Sequence, residues 1–264
     1  MDIRKIIYTL MLGLGLASCS NFLEVEDKGK ATIPSFLSDP DGLYAALVGS
    51  YNEVYDYYDN EFGKYADAAG NMIQMNTTIA DMLDIYNYNS DPSNETSSSS
   101  YIWRRIYVAM SNVNNILEYG PKVRDAYPTQ RERIDRIMGE AYFLRALTHF
   151  DLCRTFAQPY NYTSGATHLG VPVLRKTPGP DDNPSRKSVA EVYGLITEDL
   201  DSAESRLSHT TQRGEKYVSL QAVYAMKSRV ALYKEDWNAA VDNARKALTA
   251  NDTPSGVVTN HLAS

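Results

Sequence analysis

Apolar residues recur every three to four positions through most of the chain beyond residue 39, the spacing of one face of an α-helix. Leu43, Ala46, Leu47, Ser50, Tyr51, Val54 and Tyr55 form the first such face. Asp39 stands where an N-cap is needed and Pro40 at the first helical position. A second face runs from about residue 101 to residue 119 through Ile102, Ile106, Ala109, Val113, Ile116 and Leu117. Gly120-Pro121 is expected to end it. The longest face carries Ile134, Ile137, Met138, Ala141, Leu144, Leu147, Phe150 and Leu152. Thr129-Gln130-Arg131-Glu132 before it has the form of a capping box, in which hydroxyl and carboxylate each satisfy a free backbone N–H. Ser188-Val189-Ala190-Glu191 repeats that form and opens a helix through Val192, Leu195, Ile196, Leu200, Ala203 and Leu207.

Between these faces, residues 61–100 are less regular, and residues 158–187 are rich in proline and glycine, with a short extended piece expected at residues 170–174. The stretch SLQAVYAMKSRVALYKEDWNAAVDNARKALTA reads as helix, turn, helix. Small residues recur at its crossing points: Ala222, Ala225, Ala231, Ala240, Ala244 and Ala247. That is the pattern of a tetratricopeptide unit, with Trp237 just after the turn as an aromatic groove filler. One such unit cannot bury its own face and must stack on neighbours. No long strand alternation occurs. The expected fold is mostly α, with tetratricopeptide-like helices over about residues 129–250 and long irregular loops.

The N-terminus changes the picture. Arg4 and Lys5 precede an apolar run over residues 6–17, too short to span a bilayer and matching a secretory signal. Leu16-Ala17-Ser18-Cys19 has the form of a bacterial lipobox, with Cys19 as the lipidated residue. Several acyl chains anchor firmly where one anchors weakly. The reading is a signal peptide over residues 1–18, a lipidated tether over 19–38 and a helical domain over 39–264. The chain carries 33 acidic and 26 basic residues, net −7. Removing Asp2, Arg4 and Lys5 takes away +1 and leaves −8, which argues against nucleic acid as a partner. With Cys19 lipidated, Cys153 has no disulfide partner and reads as a small buried apolar residue.

Several stretches, taken in order, resemble one family. CSNFLEVEDKG is similar to the start of mature SusD/RagB-type outer-membrane lipoproteins of Bacteroidetes. YIWRRIYVAMSNVNNILE resembles their W-x-x-x-Y…N-x-x-L helix, and GEAYFLRALTHFDLCRTFAQPY their E-A-x-F-L-R-A…Y-F-D-L-x-R-x-F-G segment. LGVPVL and SVAEVYGLITEDLDSAESRL follow in the family's order. Two departures stand out. Members are about twice this length, so the chain looks like an N-terminal half, and Ala157-Gln158 stands where the family has glycine. The resemblance implies binding rather than catalysis. Such proteins capture a glycan, or in the RagB branch a peptide, at the cell surface for a TonB-dependent transporter. The tetratricopeptide helices would pack on that transporter. A helical scaffold that docks there without a ligand of its own is the alternative. The implied place is the outer membrane, held by the lipid on Cys19.

The candidate chemistry agrees with binding. Motifs of serine hydrolases, zinc peptidases, redox dithiols and phosphate loops are absent, and His149, His168, His209 and His261 are scattered without ligand spacing. Neither metal nor other cofactor is expected. A sugar site needs aromatic faces and polar groups for hydroxyls. Residues 79–94 supply Asp81, Asp84, Tyr86, Asn87, Tyr88 and Asn89. Tyr86 and Tyr88 would point the same way from an extended loop and form a platform; the alternative is that both pack as half-buried aromatics. The Tyr cluster of residues 55–60, Trp103 and Trp237 read as packing. Arg145 and Asp151 read as a polar pair between helices.

Overall fold

A single helical turn, α1 (Ile33–Phe36), leads into α2 (Pro40–Tyr57). The computed structural model describes residues 32–74, 82–91, 93–210 and 216–250. Cys19 and the signal segment lie outside them. Asp39 caps α2 as expected: its carboxylate accepts from the N–H groups of Asp41 and Gly42 at 2.9 Å each. One π-helical turn (Tyr58–Phe62) carries the chain into α3 (Gly63–Ala69), and α4 (Leu83–Tyr86) follows. The long helices are α5 (Ser98–Ala126), α6 (Arg131–Phe156) and α7 (Val189–Leu207), with the pair α8 (Leu220–Tyr233) and α9 (Trp237–Thr249) after them. Between α6 and α7, β1 (Leu169–Pro172) pairs antiparallel with β2 (Arg186–Ser188), Leu169 opposite Ser188. The protein is mostly α.

Helix α6 is the central element. On one flank Ile134, Ile137, Met138, Ala141 and Leu144 pack with Leu43 and Leu47 of α2 and Val113 and Ile116 of α5. On the other, Phe150 and Cys153 pack with Ile102 and Ile106 of α5, Val192 and Ile196 of α7 and Val223 and Val230 of α8. Each Leu, Ile, Val, Met or Phe side chain among them contributes about 1.5–3 kcal/mol by leaving water. Burial pushes the Cys153 thiol up to about 12, as expected of a packed rather than reactive cysteine.

Several expectations are corrected. Helix α5 runs on through Pro121 to Ala126. Proline clashes with the Cβ of the residue before it, and here that residue is Gly120, which has none. Gly120 also lies so close to Met138 that a Cβ would stand 2.9 Å from its side chain. Arg124 then ties the final turn to Asp135 of α6 at 2.8 Å. The capping box expected at Thr129 does not form: Pro128–Gln130 is already a 3₁₀ turn, and Gln130 at the start of α6 makes no side-chain cap. The box at Ser188 does form. Its hydroxyl accepts from Glu191 N–H at 3.2 Å, and Glu191 accepts from Ser188 N–H at 2.8 Å. Residues 33–38 belong to the fold rather than to a tether, since Leu37 is buried against the α2–α5–α6 core. Tyr55 is 65% exposed, and Tyr57, two positions on, takes the core place instead.

Arg145 and Asp151 do not pair with each other. Asp151 is fully buried and accepts from the hydroxyls of Tyr57 at 2.9 Å and Tyr58 at 2.7 Å and from Arg154 at 2.9 Å. Arg145 meets Asp199 of α7 through two bonds of 2.8 and 2.7 Å. Trp103 packs as expected, 4.9 Å from the Tyr107 ring and 5.0 Å from Phe156. Trp237 does not fill a groove: it is 62% exposed at the first position of α9, in line with exposed Val241 and Leu248. The turn before α9, with Glu235 in a left-handed conformation, carries it outward.

Residues 174–177, after β1, are pinned from below by α5 and α6. Leu174 donates its N–H to His149 Nε2 at 3.2 Å, and its carbonyl accepts from Asn114 Nδ2 at 3.2 Å. Arg145 Nη1 donates to the Arg175 carbonyl and to Asn114 Oδ1, both at 3.1 Å. The Thr177 hydroxyl lies 3.0 Å from Ser111 O and 2.8 Å from Asn115 Oδ1. Burial first, and the nearby guanidinium groups after it, lower His149 to about 3. It therefore stays neutral, with one nitrogen donating to Arg145 O and the other accepting from Leu174.

Candidate functional site

The segment that sequence reasoning singled out is coiled rather than extended. Met82 and Ile85, three apart, are buried with Ala68 of α3 in a small cluster bordered by Tyr65, Ala69 and Ile73. That spacing needs a helical turn. The coil continues past α4, with Asn87 N–H bonded to Leu83 O at 2.9 Å, Tyr88 N–H to Ile85 O at 3.1 Å and Asn89 N–H to Asp84 O at 2.9 Å. The platform expected of Tyr86 and Tyr88 in an extended loop therefore does not form. Tyr86 is half-buried at the end of α4, and Tyr88 is 77% exposed. Asp81 lies outside the described residues.

The turn nevertheless gathers Asp84, Asn87, Tyr88 and Asn89. Tyr88 has φ 55°, in the left-handed region, where a bulky side chain is strained by about 1–3 kcal/mol. Its hydroxyl donates to the carbonyl of Ala69 at the end of α3, which fixes the ring while leaving it open to solvent. Both carboxylate oxygens of Asp84 are enclosed, and among the described residues neither meets a donor. Enclosed polar atoms in folded proteins are nearly always bonded. Asn87 and Asn89 expose amides beside them.

The loop that follows satisfies itself. Asp91 accepts from the Ser93 hydroxyl at 2.7 Å and the Ser93 N–H at 2.8 Å, and the Ser93 hydroxyl chiefly holds its carboxyl below the usual range. Asn94 accepts from Thr96 in the same way. These residues shape the entry to α5. The turn can thus offer one fixed, exposed aromatic ring and two exposed amides, a set suited to hydroxyl-rich ligands. The strain at Tyr88 and the enclosure of Asp84 were not readable from the sequence. The three-residue spacing of Met82 and Ile85 was, and it signals the helical turn.

Residues 21–232 match the SusD-like family model described as "Starch-binding associating with outer membrane". SusD-like protein P38 of Formosa agariphila is 27% identical over 244 residues, covering 89% of this chain and 43% of its own length. SusD-like protein P25 of the same organism is 23% identical over 260 residues, covering 94% and 46%. The chain spans less than half the length of these curated relatives. A SusD superfamily protein from Bacteroides thetaiotaomicron has a TM-score of 0.66 at 27% identity over 81% of this chain and 46% of that one. A laminarin-binding SusD-like protein shares the fold at a TM-score of 0.63 and 19% identity, over 80% and 44%. With four-fifths of its length matched by the family model, the chain belongs to the SusD-like family.

Proposed function

We propose that this chain takes part in capturing an oligosaccharide at the outer membrane and delivering it to a TonB-dependent transporter, held there by a lipid on Cys19. The family's description, starch binding with outer-membrane association, supports the carbohydrate class and the place. The solved relative that binds laminarin supports a glucan as the first ligand to try. The observation that carries the reading is the turn at residues 84–89, where Tyr88 is held in a left-handed conformation and exposed between the exposed residues Asn87 and Asn89. Sugar hydroxyls would meet the two amides, and the Tyr88 ring would face the apolar side of a pyranose. The role is binding, without turnover.

Calorimetry with laminarihexaose and maltohexaose, on the full chain in mild detergent, tests this. Stacking on one ring is worth about 0.5–1.5 kcal/mol, so Tyr88→Ala should weaken binding about three- to tenfold. Asn87→Ala/Asn89→Ala should weaken it further while leaving the helical circular dichroism unchanged. A folded sample that binds neither sugar, or that binds one with both variants unaffected, would remove the site from this turn.

A further inference from the structure

A groove of about 780 Å³ opens between residues 173–187 and α7, within the range of ~300–1,000 Å³ usual for small-molecule sites. It shares no residue with the turn at 84–89. Leu195 and Gly194 of α7 form its floor, and a Cβ built on Gly194 would meet nothing within 4 Å, so the floor is open. Leu174, Pro178 and Pro184 give it apolar walls.

Two features make this more than a gap. The first is preformation. One wall is set by residues 174–177, whose backbone is bound by His149, Asn114 and Arg145. A ligand would meet a surface already ordered, which lowers the cost of binding. The second is charge. Each carboxylate at the groove is already engaged: Glu191 by Ser188, Asp182 by Gly179 N–H at 2.8 Å, and Glu198 by Arg175 at 2.6 Å. Among the described residues, the side chains of Lys176 and Lys187 are exposed and make no hydrogen bond or ion pair; Lys187 helps to lower Glu191, behind Ser188. The partners of Asp182 and Glu191 are neutral N–H and hydroxyl groups, so the groove's charges balance in number, and Lys176 and Lys187 are its unengaged donors.

We propose that this groove is a second saccharide subsite, which takes a carboxylate-bearing sugar unit, a uronic acid, with Lys176 and Lys187 facing the carboxylate and Pro178, Pro184 and Leu195 against the ring. The choice of a sugar rests on the carbohydrate reading above, whereas the choice of an acidic one rests on the groove. An ammonium–carboxylate contact at such a rim is screened by salt.

The test is calorimetry of trigalacturonate against the full chain in mild detergent, beside maltotriose and hexaglutamate. Trigalacturonate should bind, and Lys176→Ala/Lys187→Ala should weaken it about tenfold. Raising NaCl from about 20 to about 300 mM should weaken it several-fold, and Tyr88→Ala should leave it unchanged. Both lysines are exposed, so the double variant keeps the fold. The proposal is overturned if trigalacturonate fails to bind at millimolar concentration, if the lysine variant binds it as well as wild type, or if maltotriose or hexaglutamate binds the groove as tightly. Laminarihexaose binding lost in Tyr88→Ala, together with any of those results, sinks this groove and leaves the first site standing. Trigalacturonate binding that depends on the lysines, without glucan binding, does the reverse.

Discussion

Arg145→Met is expected to destabilise the protein by about 3–5 kcal/mol at neutral pH, the usual cost of stranding one member of a buried ion pair. Arg145 and Asp199 are buried together, and the guanidinium meets the carboxylate through Nε and Nη2 while Nη1 reaches Asn114 and the Arg175 carbonyl. Methionine fills the volume and supplies none of these bonds. Burial already raises the Asp199 carboxyl above its ordinary value even beside Arg145, and without the guanidinium it rises further. The sign then follows. The folded variant holds a proton that the unfolded chain releases near pH ~4, so stability falls as pH rises between the two values and is regained on acidification. Urea unfolding at several pH values reads both effects. Arg145→Met/Asp199→Leu should recover most of the loss, because no charge is left buried. A single variant within about 1 kcal/mol of wild type, or one with no pH trend, would mean that water reaches Asp199.

Phe150→Ala should cost about 3–5 kcal/mol, the usual range for deleting a buried aromatic ring. Phe150 is fully buried at the meeting of α5, α6, α7 and α8. Its ring is 4.9 Å from Tyr233 and 6.1 Å from Tyr193, both edge-on. The guanidinium groups of Arg229 and Arg154 lie 5.5 and 5.8 Å from its centroid. Deleting the ring opens a cavity in the core and removes a π face from two cations, each such contact being worth about 0.5–2 kcal/mol. Phe150→Leu keeps most of the volume and should cost less than half as much. A loss under about 2 kcal/mol for Phe150→Ala would show that α8 moves in to fill the space.

The helices were legible in the chain because their signals are local. The caps at Asp39 and Ser188 and the apolar faces of α5, α6 and α7 lie within a few residues of one another in sequence. The misreadings came where a distant residue decides. Pro121 looks like a stop until Gly120 is seen against Met138 of the next helix. Arg145 and Asp151, six apart, read as partners, yet their true partners come from α7 and from α2. The turn at residues 84–89 was picked out by composition and misjudged in shape, since Tyr88 adopts a backbone conformation that side-chain type does not announce. The groove at α7 was passed over altogether. Its lysines look like ordinary solvated charge, and only the engagement of the carboxylates around them distinguishes them.

The binding of residues 174–177 to α5 and α6 also sets an order of assembly. Leu174 and Thr177 close onto Asn114 and Ser111, 60 and 66 residues earlier, and Arg145 is held by Asp199, 54 residues later. Each must offset the entropy of closing its loop, as must the longer-range contacts of α2 with α6, such as Tyr57 with Asp151, 94 residues apart. Synthesis runs from the N-terminus, so α2, α5 and α6 exist before residues 174–177 and α7 do. The groove would be absent until α7 docks.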